Sequence, residues 1–403
     1  MSVEFSEAVK LLSERVSAAG MEEVDLKYSY GRILGSDIYA GEDIPSFDRS
    51  PYDGYAFRAA DTEGASEDHP VTLKVIENIR AGQMPSKEVT GGTAIRLMTG
   101  APLPEGADTI CKYEDTDFTD TTVSIKKNYR AGDNIVKAGE DVKKGTQIVG
   151  KGCPVDPGIA GALSSLGQLS VTVYKKPLAG IISTGDEVVD PGEKPVPGKI
   201  RNSNRYTLEA ALSKIGIDSV YLGHADDRVN DIRKLMEEGE ERCDLIISTG
   251  GVSVGDYDLV PDAMTGYGVE IFLDGVRMKP GMACVYGVKN DKLFLGLSGN
   301  PASALTNLQC VCFPALRKLT GLKEYDHRYV NFMADTEIPG SRSVFTRFIR
   351  GKTVIRDGEI MFNAPSAQGN VVISSAVCCD TYGILPPGSP AVKSGGRLKG
   401  ILI

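Results

Sequence analysis

The pentapeptide Ile-Ile-Ser-Thr-Gly occurs twice in this chain, as IISTG at residues 181–185 and again at residues 246–250. Each copy ends an apolar run that has the length and composition of a buried β-strand, and each continues into a polar loop that contains glycine. Helical segments alternate with strand-like runs between and after the two copies, at 204–215, 228–239 and 257–266. This alternation predicts an α/β domain with a mostly parallel sheet and helices on both faces.

The chain outside this region is rich in β-strand signals. Residues 70–150 alternate short β-like runs with glycine turns, which predicts a small β-rich domain. The pattern becomes β-rich again after Gly321, and a helix is predicted just before it, from about 301 to 320. We therefore expect a multidomain protein with a central α/β domain, an inserted β-rich domain and a C-terminal β domain.

The composition excludes several classes of function. The net charge of −9 over 403 residues argues against a non-specific nucleic-acid binder, which needs a basic surface. The chain has only three histidines, and they form no HxxxH pair, which argues against a histidine-rich zinc site. The eight cysteines include no CxxC pair, and Cys243 and Cys284 lie in apolar runs, so reduced, buried thiols are expected. No signal peptide or apolar run of membrane length is visible, and we expect a cytoplasmic protein that binds no membrane.

The loops after the two IISTG copies have the features of an anion site. In open α/β sheets, ligands bind at the carboxyl ends of the strands, where glycines allow close approach and backbone N–H groups can hold an anion. The first loop carries Asp186 and Glu187, and the second carries Asp256 and Asp258. Acids beside an anion site favour a bridging Mg²⁺. Ordinary strand-to-helix glycine turns are the alternative interpretation.

Two further segments point toward a site. The run LGLSGNPASAL at 295–305 ends a strand and places Pro301 where a helix starts, while RMKPGM at 277–282 offers Lys279 as a phosphate contact or as a solvated lysine. The segment FDRSPYDGYAF at 47–57 combines acids with aromatic anchors, as functional loops often do, although a structural Ω-loop has the same composition.

The ordered set of motifs resembles one known family. FDRSPYDGYA, MTGAPLPEGAD, AGEDV, ISTGDEVV, GKIRNSN, ISTGGVSVGDYD, MKPG and GLSGNPAS follow one another along essentially the whole chain. This order is similar to that of the MoeA-type molybdopterin molybdenumtransferases, which include the E domain of gephyrin. The resemblance implies a discontinuous connecting domain (1–45 with 140–176), an inserted β-rich domain (46–139), a molybdopterin-binding α/β domain (177–325) and a C-terminal β-barrel-like domain (326–403).

The resemblance also implies an activity. Members of this family take adenylylated molybdopterin and molybdate and, with Mg²⁺, place the metal on the dithiolene and release AMP. They act as homodimers, with the active site between the α/β domain of one subunit and the inserted domain of the other. A molybdopterin adenylyltransferase is an expected partner protein, and neither nucleic acid nor a membrane is expected to bind.

Residue roles follow from matching motifs. The residues that resemble catalytic ones are Asp53, Thr99, Asp141, Glu187 and Asp258, with Asp226 or Asp227 as a looser match. The expected Mg²⁺ ligands are Asp53, Glu187 and Asp258. The residues expected to bind the pterin, its phosphate or the AMP portion are Ser183, Thr184, Gly185, Asp186, Thr249, Gly250, Gly251, Ser253, Gly255, Lys279, Gly299 and Asn300.

The chain also departs from the family pattern. It has Ser298 where members usually have proline, Met282 where lysine is common, and Gly369–Asn370 where the C-terminal Ser-Gly motif is expected. These changes bear on the phosphate contacts and on the contribution of the C-terminal domain. A non-catalytic molybdopterin carrier or scaffold and a molybdopterin adenylyltransferase are the alternative functions. The retained acids argue against the first, and the additional domains argue against the second.

Overall fold

The computed structural model describes residues 2–252 and 259–403. The chain divides into two compact units. The first comprises Met1–Ser36, Lys151–Asp156 and Ser170–Ile403, and the second comprises Asp37–Gly150 and Pro157–Leu169. The finer four-domain boundaries remain a prediction.

The helices and strands of the described residues have the following bounds. The helices are α1 (Phe5–Glu14), α2 (Pro157–Ser165), α3 (Ser203–Lys214), α4 (Val229–Arg242), α5 (Leu259–Tyr267), α6 (Pro301–Asn307) and α7 (Phe313–Leu319). The strands are β1 (Met21–Asp25), β2 (Ile38–Tyr39), β3 (Gly54–Phe57), β4 (Val71–Ile79), β5 (Thr93–Leu97), β6 (Thr109–Lys112), β7 (Thr116–Phe118), β8 (Thr122–Ile125), β9 (Gln147–Val149), β10 (Ser170–Tyr174), β11 (Leu178–Thr184), β12 (Val188–Val189), β13 (Ile200–Arg201), β14 (Asp218–Ala225), β15 (Leu245–Thr249), β16 (Glu270–Asp274), β17 (Met278–Lys279), β18 (Cys284–Lys289), β19 (Lys292–Leu297), β20 (Arg328–Ala334), β21 (Thr346–Arg356), β22 (Glu359–Asn363), β23 (Thr381–Leu385) and β24 (Arg397–Leu402).

The central sheet of the first unit has the strand order β14-β11-β15-β19-β18-β16. Neighbouring strands from β14 to β19 run parallel, whereas β18 and β16 add an antiparallel edge. The prediction of a mostly parallel sheet is therefore confirmed. The register pairs Ser183 with Thr249 and Thr249 with Leu297, so β11, β15 and β19 end at one edge of the sheet.

Alternate residues of these strands face two different cores. Ile181 and Ile247 belong to a core that includes residues of α1, α3, α6 and α7. Ile182 and Ile246 belong to a second core, with α4 and α5. This period of two, in strands that are apolar throughout, is expected when helices cover both faces of a parallel sheet.

The predicted helix over 301–320 is interrupted by a π-helical turn at Leu308–Cys312, between α6 and α7. Pro314 has no backbone N–H and cannot donate to the carbonyl of Cys310 four residues earlier. The imidazole Nε2 of His327 lies 2.6 Å from that carbonyl oxygen and donates to it. The His327 side chain therefore supplies the hydrogen bond to the Cys310 carbonyl that Pro314 cannot supply.

The C-terminal strands close into a β-barrel in the order β21-β22-β20-β24-β23, because β23 pairs back with β21. Phe332, Phe362 and Leu398 are among the residues that fill its interior. Phe348 and Tyr382 instead belong to the core that includes residues of α6 and α7. The prediction of a β-barrel-like C-terminal domain is confirmed.

The second unit contains a mixed sheet of order β6-β3-β5-β4-β8-β7, in which β4 and β5 pair in parallel. Tyr55 and Phe57 point into one of its cores and Ala56 into the other. The segments on either side of this sheet also pair, β2 with β9 in this unit and β1 with β10 in the first. A β-rich domain is thus present, as predicted, whereas its bounds at 46–139 stay a prediction.

The sequence also led to predictions about the cysteines and about membrane-spanning segments. Cys243 and Cys284 are buried free thiols, as expected, and burial raises the pKa of Cys284 to about 11. Among the helices of the described residues, none combines the length and apolar character that crossing a bilayer requires.

Candidate functional site

Three glycine-bearing loops meet where β11, β15 and β19 end. The backbone N–H of Gly250 donates to the carbonyl of Leu297 at 3.0 Å, and Thr184 Oγ1 donates to the carbonyl of Thr249 at 3.1 Å. A Cβ atom built on Gly299 would lie 3.5 Å from the Cα of Gly250. The two IISTG copies and the SGN turn are therefore parts of one edge, as the sequence repeat predicted.

Gly250 is the tightest point of this edge. Its φ is +96°, and a Cβ there would lie 2.5 Å from Thr184 Oγ1 and 2.8 Å from the Thr184 carbonyl oxygen. Both the backbone conformation and the close approach of Thr184 therefore require glycine.

We expect Gly250→Ala to weaken ligand binding at this edge about tenfold, because the strained backbone must move away from Thr184. The measurement is the affinity for the pterin substrate that the resemblance described above implies. Gly266→Ala is the matched control, since Gly266 lies in α5 with ordinary φ and open space around its Cβ position. Equal affinity in the two variants would contradict this account of the edge.

The predicted site residues divide into buried and exposed groups. Ser183, Thr184 and Thr249 are buried, with exposed fractions of 1–3%. The residues at this edge and beside it that are exposed, and that a ligand would meet, are Asp186, Glu187, Lys279, Gly299 and Asn300. The Thr184 hydroxyl thus joins the two IISTG copies, and the residues after them form the surface.

The acids of the first loop differ in their partners. Asp186 Oδ1 accepts from the backbone N–H of Asp227 at 3.1 Å, and the Asp186 N–H donates back to Asp227 Oδ2 at 3.4 Å. Glu187 makes no side-chain hydrogen bond or ion pair within the described residues, and its carboxylate oxygen would lie 2.5 Å from a Cβ on Gly185. Asp186 is thus engaged in fixing its loop, whereas Glu187 is a free carboxylate beside the glycine turn.

Two asparagines that sequence reasoning did not assign connect α3 to this edge. Asn202 caps α3 by accepting from the Arg205 N–H, and its amide donates to Ser183 Oγ at 2.8 Å. Asn204 Nδ2 donates to the Gly299 carbonyl at 2.9 Å, and its Oδ1 is buried without a partner among the described residues. The motif GKIRNSN, with asparagine just before a helix, was the available signal.

Lys279 lies beside α6, the helix that begins at this edge. Asn307 Nδ2 donates to the carbonyl of Gly281 at 2.7 Å, which fixes the turn after Lys279 against α6. The Lys279 ammonium is exposed and lies 5.6 Å from the ring centre of Phe345. Asn300 is the N-cap residue of α6 and Pro301 follows it, as predicted.

Arg350, on the outer face of the barrel, is a third residue that sequence reasoning missed. It is fully buried, and its Nε donates to Ser375 Oγ at 2.8 Å while its Nη2 donates to the Gly369 carbonyl at 3.1 Å. Its Nη1 has no partner among the described residues. Arg350 therefore anchors the segment that contains Gly369–Asn370, where this chain departs from the family motif. No local sequence signal links these positions.

In the second unit, the structure brings Asp53 and Thr99 together. Asp53 Oδ1 accepts from the backbone N–H of Thr99 at 2.7 Å and from its hydroxyl at 2.8 Å. These two bonds, the backbone one first, lower the pKa of Asp53. Asp141 is exposed, in a turn where its N–H donates to the carbonyl of Ile44 at 3.0 Å.

Part of the predicted site is outside the described residues, namely Ser253, Gly255, Asp256 and Asp258. Within 2–252 and 259–403, no three His, Cys, Asp or Glu side chains form a group that could hold a metal ion. The predicted Mg²⁺ ligands Asp53 and Glu187 lie in different units. The metal assignment therefore stays a prediction.

Comparison with known proteins gives a consistent assignment. Residues 3–167 match the MoeA N-terminal region (domain I and II), and residues 180–318 match a probable molybdopterin binding domain. The molybdopterin molybdenumtransferase of Bacillus subtilis is 35% identical over 401 residues, covering 98% of this chain and 93% of that protein. The enzyme of the same name from Staphylococcus aureus strain Mu50 is 34% identical over 399 residues, covering 98% and 94%.

Comparison with solved structures supports the same family. The crystal structure of the molybdopterin biosynthesis MoeA protein from Pyrococcus horikoshii is similar over 100% of both chains, with a TM-score of 0.85 and 29% sequence identity. Full-length similarity in sequence and in fold, together with the three-loop edge, supports one conclusion. The chain belongs to the molybdopterin molybdenumtransferases, the enzymes that these comparisons identify in molybdenum cofactor biosynthesis.

Proposed function

We propose that this enzyme transfers molybdenum from molybdate to the dithiolene of adenylylated molybdopterin and releases AMP. In this reaction water attacks a phosphorus atom of the anhydride, a new phosphorus–oxygen bond forms as the bridging one breaks, and AMP leaves while the pterin keeps its own phosphate. Two molybdenum–sulfur bonds form, and two oxo groups of molybdate leave as water with protons from the thiols and solvent. No electrons are transferred, so the reaction requires no redox cofactor.

The observation that carries the proposal is the exposed edge built from the two IISTG loops and the SGN turn. It combines glycine-lined backbone, an exposed lysine and a carboxylate that has no partner in the described part of the chain. Backbone N–H groups and Lys279 are suited to the phosphate oxygens of the substrate. Glu187 provides negative charge that no cation among residues 2–252 and 259–403 neutralises, which is the arrangement expected where a cation joins protein and phosphate.

The available donors suit Mg²⁺, which proteins commonly hold through one or two carboxylates together with substrate phosphates. Glu187 is free, and Asp53 uses only one carboxylate oxygen in its bonds to Thr99. With Asp258, these side chains would hold the ion, and the ion would supply charge neutralisation on the anhydride. Thr99 fixes the rotamer of Asp53, and Asn202 and Asn204 hold the loops on which the substrate rests.

We further propose that the enzyme is a homodimer in which Asp53, Thr99 and Asp141 complete the site of the partner subunit. Each active site would then contain two essential carboxylates, one from each chain. Activity measurements on mixtures of two inactive variants test this arrangement.

Asp53→Asn and Glu187→Gln should each be inactive alone, but a mixture that is unfolded and refolded together should regain about a quarter of wild-type activity. After random pairing, half of the dimers contain one chain of each variant. In each of these dimers, one of the two active sites has both carboxylates and the other has neither. Glu193→Gln is the control for Glu187→Gln, since Glu193 is exposed in the same region. A mixture with no recovered activity would place both carboxylates in one chain and overturn the shared site.

One assay separates this function from its alternatives. The enzyme is incubated with adenylylated molybdopterin and Mg²⁺, with and without molybdate, and AMP is measured. AMP release that requires molybdate supports the transferase. A carrier or scaffold would bind without release, and an adenylyltransferase would consume ATP with unmodified molybdopterin instead.

A further inference from the structure

A cavity lies in the first unit, at the opposite edge of the central sheet from the loops described above. It has a volume of about 590 Å³ and is lined by Lys176, just before β11, and by Lys214, the last residue of α3. The seven residues of β11 separate the two edges by roughly 20 Å. The cavity is therefore distinct from the proposed active site.

Cationic side chains dominate the lining. They are Arg32, Lys175, Lys176, Lys214, Arg317 and Arg328, against the acids Glu324, Asp326 and Asp380. The excess of positive charge contrasts with the net charge of −9 of the whole chain. A local concentration of cations in an acidic protein requires a specific explanation.

Few of these cations are neutralised by the protein. Arg32 pairs with Glu22 at 2.5 Å and Lys176 with Asp218 at 3.8 Å. Within the described residues, the side chains of Lys175, Lys214, Arg317 and Arg328 form no ion pair or hydrogen bond. Four unpaired cations thus face one concave surface.

Arg317 is the least solvated of these four. It is half-buried, and its guanidinium carbon lies 5.4 Å from the ring centre of Phe313. Burial, with a further contribution from the positive charge of Arg328, lowers the pKa of Arg317. An anion bound between the two guanidinium groups would remove this repulsion and form charge-assisted hydrogen bonds.

Helix electrostatics explain only some of the charges. Lys214 and Arg317 lie in the last turns of α3 and α7, where cations complement the helix dipole. Arg328 begins strand β20 and Lys175 lies in the link between β10 and β11, so neither serves a helix end. These residues converge on the same cavity as the two helix termini.

We propose that this cavity binds a phosphorylated small molecule of nucleotide size. Its phosphates would contact Lys214, Arg317 and Arg328, and its less polar part would pack on Tyr174 and Ile215, which also line the cavity. The volume is within the range of small-molecule sites. The inference rests on this cavity alone and is independent of the reaction proposed above.

Calorimetric titration with inorganic tripolyphosphate at low salt tests the proposal in the absence of any pterin. We expect the double variant Lys214→Gln/Arg328→Gln to bind the probe at least tenfold more weakly than wild type, through loss of charge-assisted bonds. Both side chains are exposed, so the fold should be retained. Arg233→Gln/Lys234→Gln on α4 removes the same charge elsewhere and should bind like wild type.

The location is tested by acetylation of surface lysines followed by mass spectrometry. Tripolyphosphate should protect Lys175 and Lys214 but not Lys234. Equal binding by the two double variants, or absence of protection at Lys214, would overturn the proposal. Because neither readout involves turnover, failure here leaves the molybdenum transfer reaction to be judged by its own assay.

Discussion

Replacing Asp53 by asparagine should lower kcat by about a thousandfold or more while leaving the fold intact. Asparagine keeps the Oδ1 acceptor that bonds to the N–H and hydroxyl of Thr99, at 2.7 and 2.8 Å, and removes only the negative charge. The measurement is AMP release under saturating molybdate and pterin. Loss of activity with unchanged thermal unfolding would identify the charge of Asp53, rather than its packing, as essential.

Glu77→Gln is a matched control for this substitution. Glu77 lies in the same unit and also accepts from a backbone N–H and a hydroxyl, those of Ser86, and these bonds lower its pKa. We expect Glu77→Gln to keep near-normal activity. Wild-type turnover by Asp53→Asn would remove Asp53 from the site.

The same bonds predict a pH effect. Hydrogen bonds from Thr99 lower the pKa of Asp53, so the carboxylate persists to lower pH than an ordinary aspartate. Thr99→Val removes the hydroxyl bond and keeps the backbone bond, so the acid limb of the kcat profile should shift to higher pH.

The second large effect concerns stability. His327 is buried, and desolvation, with a contribution from Arg317, lowers its pKa to about 4. The unfolded chain therefore binds a proton between about pH 6.5 and 4 that the folded chain excludes. Stability should rise with pH across this window, and its loss on going from pH 7 to 4.5 should be about 2–3 kcal/mol.

Urea unfolding of wild type and His327→Gln at several pH values from 7 to 4.5 measures this contribution. Glutamine keeps a donor for the Cys310 carbonyl and cannot be protonated, so the variant should lose most of the pH dependence. His69→Gln, at an exposed histidine, should behave like wild type. Carboxylates with a lowered pKa in the folded state also stabilise the fold, but they lose this contribution mainly below about pH 4.5, outside the range measured. Identical pH profiles for wild type and His327→Gln would show that His327 is not the source.

The elements that sequence alone predicted are those with local signals. The repeated IISTG pentapeptide predicted two parallel strands that end at one edge, and Pro301 predicted the start of α6. Apolar runs and glycine turns predicted the β-rich character of the inserted and C-terminal regions. In each case a short stretch of chain contains the whole signal.

The features that sequence did not predict depend on residues far apart in the chain. Asn204 donates to the Gly299 carbonyl, 95 residues away in sequence. Arg350 donates to Ser375 and to the Gly369 carbonyl, both of which lie in the loop between β22 and β23. The π-helical turn before α7 depends on Pro314 locally, but the donor to the Cys310 carbonyl is His327, 17 residues further along the chain. Such pairings follow from the assembled fold and have no period or motif of their own.

The most direct test of the central claim is the number of molybdenum atoms bound to the pterin product for each AMP released. Wild-type enzyme supplied with adenylylated molybdopterin, molybdate and Mg²⁺ should give a ratio near one, with elemental analysis of the isolated pterin beside AMP quantification. Asp53→Asn should give neither product. Release of AMP without molybdenum on the pterin, or at the same rate without molybdate, would contradict the account.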